Sequence, residues 1–539
     1  MNALLDKTLI LTAPGFYITL SVVIISVAYV SILALYRLFL SPIAAFPGPP
    51  LARLTYLTQW YYDWVKDGQY YLQIEEMHKK YGPIVRVTPS ELHIRDSNFH
   101  SKLYVTGAVR KSDSYHRFTQ GTGFEDITFP LLSHDKHRAL RGQVSRLFTR
   151  AGVSQNESRI VARIQVLSQR MDGFMSSGKP VNLHDAFNAI SVIFHEESTD
   201  YLGDPDFNTA WYNTLKMGTA TIPLLAQLPW LARVISAPVA RYILERATPW
   251  RIFDDVRAPF PWYPVDSSHF SILQKSRRQM LKSKSRPTIA SNDRSNATVF
   301  DNLFKDNLFY TMNEQTFTRS AQLIQQGAVH NVSLSLAMTI YCLLCQPDEQ
   351  EKLKRELEPS FSKYPERPPS FSELESLPHL SACIKEGLRL SVGALVGIPR
   401  VSPDVDLAFD TYTIPKGTPV SMTPHWMHMD PDVFPNPSSF EPSRWSSTLT
   451  EPEKLSLMGR YFVPFGKGSR SCIGVQLAYL LLYQTLAHLF RPGAPRLLLH
   501  ETDISDVTPV RGFLFSLPKK DSKGLRAILV NDSESTDKV

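Results

Sequence analysis

The sequence predicts a mainly α-helical domain with small β-sheets, preceded by one N-terminal transmembrane helix, and three observations carry that prediction. No charged residue lies between Lys7 and Arg37, and the centre of that stretch, Ile18 to Leu35, is apolar enough and long enough to cross a bilayer core of about 20 helical residues. Apolar residues at helical spacing dominate much of the remainder, with long runs at Thr316 to Leu344 and Val475 to Phe490. Strand-like alternation is confined to short stretches broken by Gly and Pro, from Lys79 to Ile94 and from Asp404 to Val420.

At 539 residues the chain exceeds the usual domain size, yet no repeat or linker divides it, so a single large domain is expected. Its 43% hydrophobic and 20% charged residues exclude a disordered chain. The formal charge of +7 is spread along the sequence. The densest cluster, Lys275, Arg277, Arg278, Lys282, Lys284 and Arg286, reads as a solvated loop, or else as a contact for anionic lipid or an acidic protein. No aromatics interleave with those charges for base stacking, so nucleic acid is not an expected partner. The four cysteines form no regular framework, which argues for a reducing compartment, and Cys342 and Cys345 lie in an apolar helical pattern that reads as core.

Taken in order, residues 1–45 read as a signal anchor and the start of a hinge. The apolar run is long for a cleaved signal peptide, and no clear small-residue cleavage site accompanies it. Arg37 and Arg53 follow it while only Asp6 and Lys7 precede it, which places the main domain in the cytosol. Phe46-Pro47-Gly48-Pro49-Pro50 is a stiff hinge that opens the main domain, 46–520, and 521–539 reads as a polar tail.

His137 and Arg141, four apart, share one helical face, which taken alone is a solvated one. From about Asn156 to Pro287 the signals are mostly helical, interrupted by Pro259, Pro261 and Pro264. The long run from Thr316 contains Gly327-Ala328-Val329-His330-Asn331, in which His330 is either a proton-moving group near neutral pH or a satisfied core histidine. Glu386 and Arg389, three apart among apolar residues, precede Arg444-Trp445; on an exposed helix such a pair is worth only a few tenths of a kcal/mol.

Phe465-Gly466-Lys467-Gly468-Ser469-Arg470-Ser471-Cys472-Ile473-Gly474 stands just ahead of the last apolar run. Its glycines let the backbone turn tightly against a flat ligand, Arg470 offers a cation, and a thiolate at Cys472 gains from the helix dipole and nearby amides. A lone cysteine there reads as a packed thiol in a Gly-rich turn. The pattern of Phe465, Gly468, Arg470, Cys472 and Gly474 resembles the haem-binding loop of the cytochrome P-450 superfamily, in its fungal membrane-bound form.

That resemblance implies the cytochrome P-450 fold, haem b with Cys472 as the axial iron ligand, and Phe465, Gly468, Arg470 and Gly474 as parts of its cradle. It also implies that His137, Arg141 and Arg400 reach the haem propionates, with His137 where the family often has Trp. Glu386, Arg389 and Arg444 match the family's buried structural network, and Leu395 and Val396 would face substrate. In the long helix His330 and Asn331 replace the usual acid and threonine of distal proton delivery. The implied activity is a monooxygenase that inserts oxygen from O2 into a hydrophobic secondary metabolite, a terpenoid first and a polyketide or alkaloid next. Electrons would come from NADPH through cytochrome P-450 reductase, at the endoplasmic reticulum membrane. The altered distal pair motivates the alternative, a haem-thiolate isomerase or dehydratase that needs no external electrons.

Overall fold

The computed structural model describes the chain apart from residues 1, 119, 121–132, 192–201, 206, 208, 229–313, 364–366, 514 and 532–539. The basic cluster at 275–286 and the prolines at 259–264 lie outside the described residues. Ten principal helices follow in order: α1 Asn2–Leu35, α2 Tyr70–Tyr81, α3 His134–Val144, α4 Glu157–Ser177, α5 Leu183–Ser191, α6 Thr209–Gln227, α7 Glu314–Leu344, α8 Pro347–Ser362, α9 Pro378–Ser391 and α10 Val475–Phe490. The strands are short: β1 Ile84–Arg86, β2 Leu92–Ile94, β3 Asp113–Ser114, β4 Val181–Asn182, β5 Arg400–Val401, β6 Leu407–Phe409, β7 Tyr412–Ile414, β8 Pro419–Ser421, β9 Arg496–Leu499, β10 Arg511–Gly512, β11 Ser516–Leu517 and β12 Arg526–Val530.

Among the described residues two helices are long and apolar enough to cross a membrane. Phe16–Leu40 has a mean hydropathy of 2.5 and buries no side chain against the rest of the protein, the signature of a membrane anchor. Gly327–Leu344, within α7, is mostly buried, because it is the central helix of the core. Around it pack α5, α8, α9 and α10, with α4 packed in turn on α5 and α10, and Leu336, Ile340, Leu380, Ile384, Leu480 and Leu486 are among the residues that fill the space. The approach of α7 to α9 is close: a Cβ added at Gly387 would overlap Thr339 Oγ1, and one turn further Ser335 and Ser391 hydroxyls meet at 2.8 Å.

The larger sheet has the order β1-β2-β8-β5-β3, with β1 and β2 antiparallel in the register Ile84 to Ile94 and β2 parallel to β8. A second sheet, β4-β12-β9, draws on the C-terminal segment, which corrects the expected polar tail from 521. Ala527 and Leu529 of β12 are buried in strict alternation, so the domain continues to Val530.

The hinge expectation is also corrected. Ile43 and Phe46 belong to the hydrophobic cluster under β1 and β2, Phe46 stacks on Tyr412 with ring centres 5.2 Å apart, and Arg86 N–H donates to Pro47 O at 2.7 Å. Arg86, fully buried, donates to Arg37 O at 2.7 Å and Pro89 O at 2.6 Å, while Arg53 donates to Ala44 O at 2.7 Å. These guanidiniums satisfy carbonyls left over where the membrane helix ends. Residues 36–54 are therefore docked on the domain instead of spacing it from the membrane.

Candidate active site

The loop Phe465–Gly474 is held from both sides. Gly466 and Gly468 have φ of 65° and 77°, and a Cβ at Gly468 would collide with the carbonyl oxygens of Tyr104 and Val105. The loop is pinned there by Ser469 N–H donating to Val105 O at 3.0 Å. Cys472 N–H donates to Phe465 O at 2.9 Å, closing the loop, and the Phe465 ring packs on Tyr479 of α10 at 5.4 Å. Gly474 then caps α10, accepting from Ala478 N–H at 2.8 Å.

Cys472 combines two properties that an ordinary turn cysteine lacks. Its side chain is accessible, yet burial pushes the thiol pKa up, opposed by a backbone hydrogen bond from Gly474 and by the Arg141 charge. The sulfur is therefore open to a ligand although many protein atoms surround it.

Four cationic or potentially cationic side chains converge beside it. Arg141, on α3, donates to Ser471 O at 2.7 Å. Arg470 donates to Ser112 O at 3.0 Å, and Arg400, buried on β5, donates to Pro399 O at 3.0 Å with its guanidinium 5.7 Å from the Tyr104 ring centre. His137, one turn before Arg141, is buried with Nδ1 unpartnered. Burial first, then the charges of Arg470, Arg141 and Arg400, push its pKa down to about 3, so the ring is neutral at pH 7. Among the described residues Arg141 and Arg400 join no ion pair. A buried Arg400 and a half-buried Arg141 without an ion-pair partner call for an anionic ligand, and the donor set beside a thiol suits one that carries carboxylates and a soft metal.

The distal pair on α7 divides into two roles. His330 is buried, and its Nε2–H donates to Ser516 O of β11 at 2.7 Å. Burial pushes its pKa down to about 4, so it is a neutral imidazole tying α7 to the β10–β11 hairpin. Asn331 lies against Gly393, and its Oδ1 is buried without a partner. Val396 lines a cavity with Phe513, whereas Leu395 is buried against Tyr71 and Val392.

Behind the thiol loop the structure brings Glu386, Arg389 and Arg444 together. Glu386, fully buried, accepts from Arg389 at 3.0 and 2.7 Å, from Arg444 Nε at 2.9 Å and from Glu441 N–H at 3.2 Å. Arg389 spends its other donors on the carbonyls of His428, Pro437 and Ser439. Two members escape sequence reasoning. Trp445 Nε1 donates to Glu386 at 2.8 Å, and His428 links the network to the loop by accepting from Val463 N–H at 2.9 Å while its Nδ1 donates to Arg389 O at 3.2 Å. Trp445 adjoins Arg444 in sequence and could have been included on that signal; His428 carries no such signal.

A family model described as Cytochrome P450 matches residues 47–492. Among curated proteins, the chain is 36% identical to the cytochrome P450 monooxygenase oblB of Cochliobolus heterostrophus, over 93% of this chain and 94% of that protein. It is 34% identical to the fusicoccadiene C-8 hydroxylase of Alternaria brassicicola over 97% and 98% of the two chains, and 32% identical to the stellatic acid synthase of Emericella variicolor over 91% of each.

Proposed function

The chain belongs to the cytochrome P450 family, and on that premise we propose that Cys472 ligates haem iron and that the protein oxygenates a hydrophobic secondary metabolite, a terpenoid first and a polyketide or alkaloid next. Family membership makes it an oxygen-incorporating monooxygenase that uses haem, O2 and electrons from a redox partner. The observation that carries the site assignment is the accessible yet deeply placed Cys472 thiol, ringed by Arg141, Arg400, Arg470 and the unpartnered Nδ1 of His137.

The residues present fit haem. Its propionates would take the charges of Arg141, Arg400 and Arg470 and the ring N–H of His137, while the glycines at 466 and 468 let the loop turn tightly, Gly468 against the backbone of Tyr104 and Val105, and so present Cys472. When bound, haem supplies the redox chemistry that activates dioxygen, with the thiolate tuning it. Ligation requires the sulfur to lose its proton, which Arg141 and the Gly474 N–H favour against burial. On the opposite side Asn331 offers an unpartnered amide oxygen at which a water or a substrate hydroxyl can hold a proton. His330, neutral and bonded to Ser516 O, would keep α7 in register with the hairpin that carries Phe513. Val396 and Phe513 orient the substrate and exclude water.

The finer readings draw on other supports. NADPH through cytochrome P450 reductase is the proposed electron source, and the proposed location is the endoplasmic reticulum membrane with the catalytic domain in the cytosol. The apolar helix Phe16–Leu40 and the arginines that follow it support that placement. A terpenoid ranks first because one relative is named for hydroxylating a diene hydrocarbon, fusicoccadiene.

Two measurements test the proposal. The reduced carbon monoxide spectrum of the full-length protein should show the thiolate-type band, and Cys472→Ala should abolish it; a Cys472→Ala protein that keeps the band overturns the ligand assignment. A terpenoid panel given with NADPH and reductase should yield a product heavier by one oxygen, and a product formed at full rate without NADPH and reductase overturns the oxygenation reading in favour of rearrangement or dehydration.

A further inference from the structure

The helical segment from Leu57 to Val65 is inverted relative to an ordinary surface helix. Leu57, Tyr61, Trp64 and Val65 are exposed, whereas Gln59 and Asp63 point inward and line a cavity of about 110 Å³. The opposite walls are apolar: Phe118, Ile222 and Pro223 from one side, and Val396 with Phe513 from the other.

Arg117 also lines this cavity. Its guanidinium lies 3.8 Å from the centre of the Tyr56 ring, held there by a cation–π contact, and it makes no hydrogen bond or ion pair among the described residues. Tyr56 is itself fixed by Ser90, whose hydroxyl meets Tyr56 OH at 2.8 Å and Tyr115 OH at 2.7 Å. Neither nearby carboxyl makes a direct ion pair with it, although the Arg117 charge acts on Glu91 from a distance and lowers its pKa against the effect of burial. Asp63 is buried, hydrogen-bonded to Gln59, and burial pushes its pKa up to about 8. Glu91 accepts from Ser421 Oγ at 2.6 Å, and burial pushes it up to about 7. The wall also carries Gln227, whose Nε2 is buried without a partner. One end of the cavity therefore presents a fixed cation and several hydrogen-bond donors, while the other end continues toward Val396 and Phe513 with apolar surface.

We propose that this cavity receives an oxygen function already present on the substrate, a carboxylate or carbonyl paired with Arg117 and Asp63, with the adjoining few carbons against Phe118 and Ile222 and the remainder of the hydrocarbon skeleton leaving the cavity past Val396 and Phe513. A hydrocarbon would leave the guanidinium desolvated without a hydrogen-bond partner, which is the arrangement that discriminates most strongly between a polar ligand and its apolar analogue. The inference rests on the terpenoid reading above and places this enzyme after a reaction that has already oxidised the hydrocarbon skeleton. The class of that supplying reaction is a stepwise oxygenase reaction, with O2 and external reducing equivalents as its co-reactants, that takes a methyl or ring methylene through the alcohol to a carbonyl or acid.

The test is isothermal titration of the haem-loaded, full-length protein in lipid nanodiscs with one diterpene skeleton in four states: abietadiene, abietadienol, abietadienal and abietic acid. The acid or aldehyde should bind about tenfold or more tightly than the hydrocarbon. Arg117→Leu should bring the oxygenated ligands to within about threefold of the hydrocarbon, by weakening them and strengthening the hydrocarbon, with an unchanged haem spectrum reporting that the variant is folded; Arg117→Lys should restore part of the preference for the acid. Equal affinities in the wild type, or an Arg117→Leu effect equal on all four compounds, overturn the inference while leaving oxygenation of hydrocarbons intact. A panel with no binding at all overturns it together with the terpenoid reading beneath it.

Discussion

Asp63 holds a proton that an exposed carboxyl would have lost, and that has a measurable sign. Its folded pKa is pushed up to about 8 from an ordinary 3.8, so between those values the folded protein binds a proton that the unfolded chain has released. The folded state is then penalised progressively as pH rises from about 4 to 8. Asp63→Asn keeps the hydrogen-bonding shape and removes the titration. It should raise Tm relative to the wild type by a few degrees more at pH 8.5 than at pH 5; a constant difference across that range rules out a neutral Asp63. Glu91 adds a slope of the same sign to both proteins and cancels in the comparison. At this scale the sequence was informative wherever a residue's meaning lies in its neighbours. Cys472, Arg470 and the glycines form one continuous loop, so their pattern could be read. His330 could be placed on a helix but not assigned a partner, because Ser516 lies 186 residues away and only the fold brings its carbonyl to the ring.

Helix α9 shows what an element contributes beyond its residues. One face lies so close to α7 that Gly387 has no room for a methyl group beside Thr339, while Glu386 and Arg389 carry the buried network behind the loop. Gly387→Ala should therefore cost about 1–3 kcal/mol through overpacking. Gly387→Ala combined with Thr339→Ala should recover most of that loss, as read by thermal unfolding; no recovery means the glycine serves another purpose. Glu386→Gln acts differently. It leaves Arg389 and Arg444 buried without their shared carboxylate, a loss of about 3–5 kcal/mol. The expected readout is a sharp fall in haem content, because His428 passes the network's geometry to Val463 and the loop. Protein that keeps full haem occupancy with Glu386→Gln would remove that coupling. The three-residue spacing of Glu386 and Arg389 made the pair visible in the sequence and the family resemblance implied its burial; the spacing alone did not, since exposure depends on the loop at 428–445 that folds over it.

The molecule as a whole is joined to its membrane helix through buried arginines, and this sets where it can be cut. Arg86 is fully buried and donates to Arg37 O and Ile43 O, so its charge is solvated by carbonyls of the segment that follows the apolar helix. Arg53, adjacent to it, donates to Leu38 O and Ala44 O, and the mutual repulsion of Arg86 with Arg53 and Arg37, after burial, pushes the Arg86 pKa down to about 10. The proline-rich sequence at 46–50 suggested a spacer because composition reports stiffness, not docking; Phe46 fills a core cluster that only the folded β1–β2 hairpin creates. Two truncations separate the possibilities. Removing residues 1–35 deletes most of the exposed apolar helix and leaves every acceptor of Arg86 in place, so Tm and haem content should match those of the full chain within a few degrees. Removing residues 1–49 strands Arg86 with Pro89 O as its remaining acceptor and strips Ile43 and Phe46 from the core. That cut should cost several kcal/mol and lower Tm by about 5 °C or more. Equal stability of the two truncated proteins would mean that residues 36–49 are a tether after all.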